Sequence, residues 1–422
     1  MVTASSIVNN LGLHRRELRA WAMYDWANSA FMTIVITAVF PQFFRDYAAD
    51  GRADAGVLFS GITWVAILVS AVVSLLLGAV ADALGAQKRL LFMLTVIGSL
   101  ATAGMFFIPR GSWVTAAVLF ALANVAIMCA FVCYNAMLPF IATSEESDRV
   151  SSGGFAMGYL GGGLALAIVL LLISVLQDKW LACRLAFVLT GAWWMLFAIP
   201  LFRHVPEAPA GTRLSPRHAI SGMFSMLLQT LKLLRGEPQV LLFLIAFMLY
   251  SDGINTIIRM ASLYGAELNI KQDVMVKAIL LTQFVGVPFA FLFGYLSRFF
   301  GAKALILFGI GVYVVIALVG YKMSTATHFI GLALLVGTVQ GGTQALSRSY
   351  FTRMIPRERA TEYFSIYGIL DRFSGVIGSS LLLICGYFTG SSRTGVLGVA
   401  VMFVVGGVLL FAVKPKCVAT EG

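Results

Sequence analysis

An all-α membrane protein of twelve transmembrane helices in two six-helix bundles is predicted by three observations. The first is composition: 59% of the 422 residues are hydrophobic and 12% charged, with a mean hydropathy of +0.90. Soluble domains carry about 25% charge, so this chain belongs in a bilayer. The second is length, because twelve apolar runs reach the ~20 residues that a crossing needs. The third is a set of polar features repeated in the same order in each half.

Taken in order, the predicted spans are 18–44, 57–81, 89–108, 113–140, 151–176 and 183–202, then 238–263, 274–298, 303–321, 327–349, 361–388 and 395–413. Residues 1–205 make one bundle and 238–422 the other. Between them, 206–237 opens with the breakers Pro206, Pro209, Gly211 and Pro216. It then turns amphipathic, with Ile220, Phe224, Leu227, Leu228 and Leu231 on one face, as a helix lying on a membrane surface does. Eighteen of the 30 Lys and Arg fall in connections on the side of the termini and nine on the other; three lie inside spans. That bias predicts both termini in the cytoplasm and assigns the +11 net charge to topology rather than to nucleic acid.

Arg15, Arg16 and Arg19 precede the first apolar run, but its length and Asp25 predict an uncleaved helix rather than a signal peptide. Cys129, Cys133, Cys183, Cys385 and Cys417 form no disulfide framework; Cys129 and Cys133 share a face without a nearby His or acid, as buried small residues do. His14, His204, His218 and His328 lie in termini or connections, and no metal site or cofactor is expected. Gly161-Gly162-Gly163 sits within a span and lacks the Lys-Ser/Thr ending of a phosphate cradle, so transport driven by gradients is expected. No span holds a nucleophile–base pair, which argues against an enzyme.

Polar islands carry the functional reading. Tyr24-Asp25-Trp26-Ala27-Asn28-Ser29 interrupts the first span, and Tyr250-Ser251-Asp252-Gly253-Ile254-Asn255-Thr256 the seventh. A carboxylate at mid-bilayer costs at least ~2.5 kcal/mol, so it is partnered or functional. Asp25/Asn28 and Asp252/Asn255 share i, i+3 spacing and hence one helix face each. Three acids (Asp25, Asp252, Asp371) and three arginines (Arg259, Arg348, Arg372) balance within the spans, either as structural pairs or as a cavity or gate. Burial disfavours an ionised Asp25 and a nearby guanidinium favours it, so a moving partner would switch its protonation. Asp25 also lies nearer the terminus end than Asp252 does, which suits an inner gate equally well. Gln340, Gln344, Ser347 and Arg348 form a polar stripe on the tenth span that lines either a gate or the substrate path. Tyr24, Trp26 and Tyr250 are candidate substrate contacts, Trp26 equally an interfacial anchor. Asn135, just before Pro139, reads as a structural partner for freed backbone groups. Gly154, Gly158 and Gly162 predict close helix packing.

Two connections repeat a pair of glycines seven apart: Gly78…Asp82…Gly85…Lys88-Arg89 and Gly294…Arg298…Gly301…Lys303. The first resembles the inter-helix motif of the major facilitator superfamily, which implies a conformational gate built from Gly78, Asp82, Gly85 and Lys88, with Asp82 capping a helix and pairing with basic residues across the bundle. Trp21-Ala-Met-Tyr24-Asp25-Trp26-Ala27-Asn28-Ser29-Ala30-Phe31, Tyr134-Asn135-Ala136-Met137-Leu138-Pro139, Ser152-Gly153…Gly158-Tyr159, Tyr250-Ser251-Asp252-Gly253 and Gln344-Ala345-Leu346-Ser347-Arg348-Ser349 together resemble the autophagy-related vacuolar amino-acid effluxers and their bacterial relatives. Asp371 and Ser379 depart from that pattern. The resemblance implies the major facilitator fold and movement of a small polar or zwitterionic, amino-acid-like metabolite by alternating access. The candidate substrate or ion residues are Asp25, Asn28, Tyr24, Asp252, Asn255, Gln344, Asp371 and Arg372; Arg348 joins the gate. Expected partners are the small-molecule substrate, protons and the lipid bilayer of a bacterial inner membrane, for a monomer. A lipid or lysolipid flippase on the same fold is the alternative, and a receptor that binds without flux is not separable by sequence.

Overall fold

The computed structural model describes residues 12–209, 232, 234–267, 270, 272–374, 377–378, 380–381 and 393–414. Most of the expected amphipathic linker helix lies outside them, as do His218, Ser379, Cys385, Cys417 and the side chain of Arg259.

Among the described residues twelve helices follow in order: α1 Arg16–Ala48, α2 Ala55–Leu84, α3 Gln87–Phe107, α4 Trp113–Ile141, α5 Ser147–Val175 and α6 Lys179–His204. The second half supplies α7 Pro238–Glu267, α8 Gln272–Phe300, α9 Ala302–Tyr321, α10 Ala326–Thr352, α11 Ala360–Phe373 and α12 Arg393–Ala412. Their order matches the predicted spans. Eleven are long and apolar enough to cross a bilayer; the described part of α11 is shorter because it breaks at Ser374 (φ −63°, ψ 142°). Among the described residues there is no β-strand.

Sequence explains the tight connections. Gly85 and Gly301 take φ of +57° and +77°, a region that costs residues with a Cβ, and so end α2 and α8 within one or two residues of the next helix. α1 is broad in its second half, where Phe31–Val39 and Phe44–Ala48 wind into π turns. Such turns are rare and concentrate at functional sites.

The chain is patterned inside out. Val57, Leu100, Leu171, Leu196, Phe299, Val408 and Phe411 are exposed on the outer surface. In lipid these are the solvated face, so polar groups gather inside instead. One core cluster fills the first bundle, with Phe40 stacked on Phe120 at 4.4 Å. A second fills the other bundle around Phe243, Phe351 and Tyr367. Because lipid tails are as apolar as Leu, helix association depends on close packing. Glycines provide it: a Cβ at Gly191 on α6 would sit 2.6 Å from the Ser99 carbonyl oxygen on α3.

Gly191→Val should therefore force α6 off α3 and cost about 1–3 kcal/mol, the usual range for overpacking. Thermal unfolding of the purified protein checks this; Gly311→Ala, where nothing lies within 4 Å, should leave the transition temperature unchanged or slightly raised.

Candidate functional site

Between the two bundles lies a cavity of about 560 Å³. Its walls are mostly apolar, with Met32, Ile67, Met128, Phe131, Ile279 and Ile316 among them. Polar groups project into it from both halves: Asp25, Asn28 and Asn135 from the first, Asn255, Gln344, Arg348, Asp371 and Arg372 from the second. Met275, Met323, Phe329 and Val396, which sit where α8, α9, α10 and α12 meet their loops on the side away from the termini, also line it. The hollow thus reaches from mid-bundle towards that side.

The terminus side is shut by contacts between the bundles. Arg348 of α10 crosses to α1, and both its Nη1 and Nη2 lie 3.4 Å from Asp25 Oδ2. The same guanidinium donates to Ser151 through Nε (2.8 Å to Oγ) and Nη2 (2.9 Å to the carbonyl), and to Asn135 Oδ1 (3.1 Å). Rings surround it: Arg348 Cζ is 4.7 Å from the Trp21 centroid and 4.6 Å from that of Phe155. Tyr134 donates its hydroxyl to Asp25 Oδ2 at 2.8 Å and stacks on Trp21 at 4.5 Å. Arg348 is 3% exposed and Asp25 6%, so both charges depend on this cage rather than on water. Gly154 makes the fit possible, since a Cβ there would lie 2.5 Å from Asp25 Oδ2 and 3.1 Å from Arg348 Nη2.

Two further layers lie nearer the termini. Asp148 of α5 accepts from Ser349 (2.5 Å) and from Arg353 (2.7 Å) of the other bundle. Asp82, at the end of α2, accepts the Thr361 and Glu362 backbone N–H groups at 3.1 and 2.9 Å, capping the start of α11, and also the Gln87 amide at 2.9 Å. A helix N-terminus carries roughly half a positive charge, so Asp82 caps a helix as the sequence suggests, and the charge it meets across the bundles is that dipole. Gly78 lets the seam close: a Cβ there would be 2.3 Å from Ser365 Oγ, which itself donates to the Ser74 carbonyl at 2.8 Å.

Not every candidate comes to the cavity. Tyr24 faces the interior of the first bundle, its hydroxyl 2.9 Å from Thr95 Oγ1 and accepting from Trp194 Nε1 at 3.4 Å, because consecutive residues point about 100° apart on a helix. Trp26 stacks on Trp193 at 5.8 Å, and Tyr250 bonds Ser347 at 2.7 Å; neither lines the cavity. Asp252 is fully buried behind the wall and accepts the Gly378 N–H at 2.9 Å. Lys88 stays in its own half, donating to the Val205 carbonyl at 2.8 Å, and Gly85 forms the turn beside it. Tyr134 and Ser349 stand in the quoted motifs without a gate role, Ser151 and Asp148 carry no sequence signal, and Asn135, which the sequence suggests is structural, joins the gate. Their partners lie over a hundred residues away, beyond the reach of any local pattern.

Arg372 and Asp371 point differently. The Arg372 guanidinium lies 5.2 Å over the Phe131 ring and makes no ion pair among the described residues. Asp371 accepts from Ser251 Oγ at 2.9 Å on α7.

Comparisons with known proteins agree with this architecture. The family described as vacuole effluxer Atg22 like matches residues 58–417. The MFS-type transporter YxiO of Bacillus subtilis is 34% identical over 415 residues, 96% of each chain. Autophagy-related protein 22-1 of Penicillium rubens is 28% identical over 259 residues, which are 56% of this chain and 44% of the fungal protein; the match spans less than half of that relative. Among solved structures, the proton:xylose symporter XylE superimposes with a TM-score of 0.72 at 12% identity, covering 97% of this chain and 96% of that one. A bacterial homologue of the iron transporter ferroportin gives 0.68 at 14%, covering 94% and 98%. At such identities these two speak for the fold alone.

Arg348→Gln should strip a buried carboxylate of its counter-charge at a cost of about 3–5 kcal/mol, while the double variant Asp25→Asn/Arg348→Gln recovers much of it. Thermal or denaturant unfolding of the four proteins of this cycle reads the difference. Asp82→Ala removes a cap worth about 0.5–2 kcal/mol and should part the seam. A cysteine placed at buried Ala345 should then react faster with a maleimide than in the Asp82 parent.

Proposed function

The chain belongs to the Atg22-like vacuole effluxer family within the major facilitator superfamily, and on that premise we propose that it moves a small zwitterionic, amino-acid-like metabolite by alternating access, coupled to protons. The family and the fold are those of membrane transporters, not enzymes. The chain is an integral membrane protein; the Lys and Arg bias supports the termini in the cytoplasm of a bacterial inner membrane.

The observation that carries the substrate reading is Arg372: a guanidinium lining the cavity with an aromatic ring beneath it and no carboxylate in ion-pair range among the described residues. A substrate carboxylate satisfies it through two parallel hydrogen bonds. Asn28 and Gln344, which also line the cavity, offer amide oxygens suited to an ammonium group. The apolar walls suit the remainder of such a molecule, as in most small-ligand sites.

Coupling follows from the Asp25–Arg348 pair. With the terminus side closed, the guanidinium neutralises the carboxylate. When the bundles part there, the guanidinium moves away with α10, and a proton taken up by Asp25 removes the cost of a lone charge. The proton and substrate then change sides together as one bundle rocks against the other. A lipid-moving role would need a lateral cleft; among the described residues the bundles touch laterally at Gly163 against Gln283 and Phe284 and at Gly78 against Ser365.

Proteoliposomes holding the purified chain and given radiolabelled amino acids under an imposed pH gradient provide the test. Accumulation should depend on the gradient. Arg372→Gln should raise the half-saturating concentration about 10–100-fold, as expected for losing a charge-assisted pair worth ~1.5–3 kcal/mol. Asp25→Asn should abolish gradient-driven accumulation while exchange continues at weaker affinity. No flux of any amino acid in the wild type would discard the substrate class.

A further inference from the structure

The second polar island is not used by the gate or by the substrate reading above, yet it meets a specific structure. On α7, Ser251, Asp252, Asn255 and Thr256 form one face, and that face packs on the place where α11 breaks. Asp371, in the last turn before the break, accepts from Ser251 Oγ at 2.9 Å. Ser374, at the break itself, donates its hydroxyl to the Asp371 carbonyl and accepts from Asn255 Nδ2. Beyond it, Gly378 gives its N–H to Asp252 Oδ2 at 2.9 Å and lies against Thr256 Oγ1, which a Cβ at Gly378 would approach to 2.1 Å.

Two features of this cluster point to a ligand. Thr256 is fully buried, and its hydroxyl has no hydrogen-bond partner among the described residues, a group that normally costs free energy unless something completes it. Asp371 is a half-buried, cavity-lining carboxylate whose side chain accepts one hydroxyl bond, while the adjacent Arg372, its electrostatic neighbour, lies over Phe131 and makes no salt bridge with it. Two carboxylates, Asp371 at the cavity and Asp252 behind it, therefore stand among neutral oxygen donors, with Arg372 as the neighbouring cation but no salt bridge between it and Asp371. Asn255, Thr256 and Asp371 border the cavity, which gives a path from water.

We propose that the α7 face and the break in α11 form a sodium-binding site, with the carboxylate of Asp371 and the oxygens of Ser251, Asn255, Thr256 and Ser374 as donors. The donor set is all oxygen, with no thiol or imidazole, so it suits a hard cation and not a zinc- or copper-like one. An interrupted membrane helix is the kind of element at which Na⁺ is held. Asp252 shapes the site from behind by fixing the backbone at Gly378. Any role of this ion in driving flux rests on the transport reading above; the binding itself does not.

The test measures binding first. The purified full chain in detergent is titrated with ²²Na⁺ by equilibrium dialysis at constant pH and ionic strength, with K⁺ and choline as replacements, and thermal unfolding is followed in the same salts. Saturable Na⁺ binding and a Na⁺-specific rise in transition temperature are expected. Asp371→Asn should weaken binding about tenfold or more, and the near-isosteric Thr256→Val should weaken it while still folding. Asp54→Asn, in an exposed turn, should bind as the wild type does. The site is overturned if Na⁺ binds no better than K⁺, if both variants bind like the wild type, or if only pH and not Na⁺ changes stability. Binding without a response of amino-acid flux to a Na⁺ gradient keeps the site and rejects its coupling role. Flux without Na⁺ binding rejects the site and leaves the transport reading standing.

Discussion

A charge held inside a bilayer must find its counter-charge within the protein, and in this chain the one at Asp25 finds it in the opposite bundle. Arg348 is the partner, and almost everything near it serves that contact. Trp21, Tyr134 and Phe155 wall the guanidinium, Ser151 and Asn135 satisfy its remaining N–H groups, and Gly154 leaves room for the carboxylate. A pair so enclosed is a modest source of stability against an apolar core of the same volume. Its value lies in being all or nothing: the two bundles either meet there or leave a bare charge behind.

The three layers on the terminus side use different physics at increasing distance from the cavity. The innermost is a caged ion pair; the middle one, Asp148 with Ser349 and Arg353, is a hydrogen-bonded pair at the edge of water. The outermost is a carboxylate on a helix N-terminus, Asp82 on α11. Each joins one residue of the first bundle to residues of the second, so parting the bundles breaks them together. That cooperation lets a small change at Asp25 act over a whole seam.

The fold was legible because a bilayer imposes length and hydropathy on every span, and glycines such as Gly85 and Gly301 mark turns that need positive φ. The candidate site was legible in part. Intramembrane charge singled out Asp25, Arg348, Asp371 and Arg372, and these line one cavity. The symmetry of the two islands misled: Asp25 faces the cavity whereas Asp252 turns to the α11 backbone, because a matched spacing fixes a helix face but not what that face meets. Tyr24 was drawn in by adjacency to Asp25, although one step along a helix turns a side chain away. The gate roles of Tyr134, Ser151 and Asp148 are hidden for a different reason: Tyr134 stands in a quoted motif without a role, and all three roles are set by partners 109 to 201 residues distant, which no local pattern encodes.

Electron–electron distances between spin labels at Glu145→Cys and Glu358→Cys, exposed positions on the terminus side of either bundle, test the ionic lock most directly. With Asp25 and Arg348 intact, a short and narrow distribution is predicted; with Arg348→Ala in the same background, a longer population should appear as the bundles separate. Indistinguishable distributions in the two proteins would contradict the claim that this pair holds the terminus side shut.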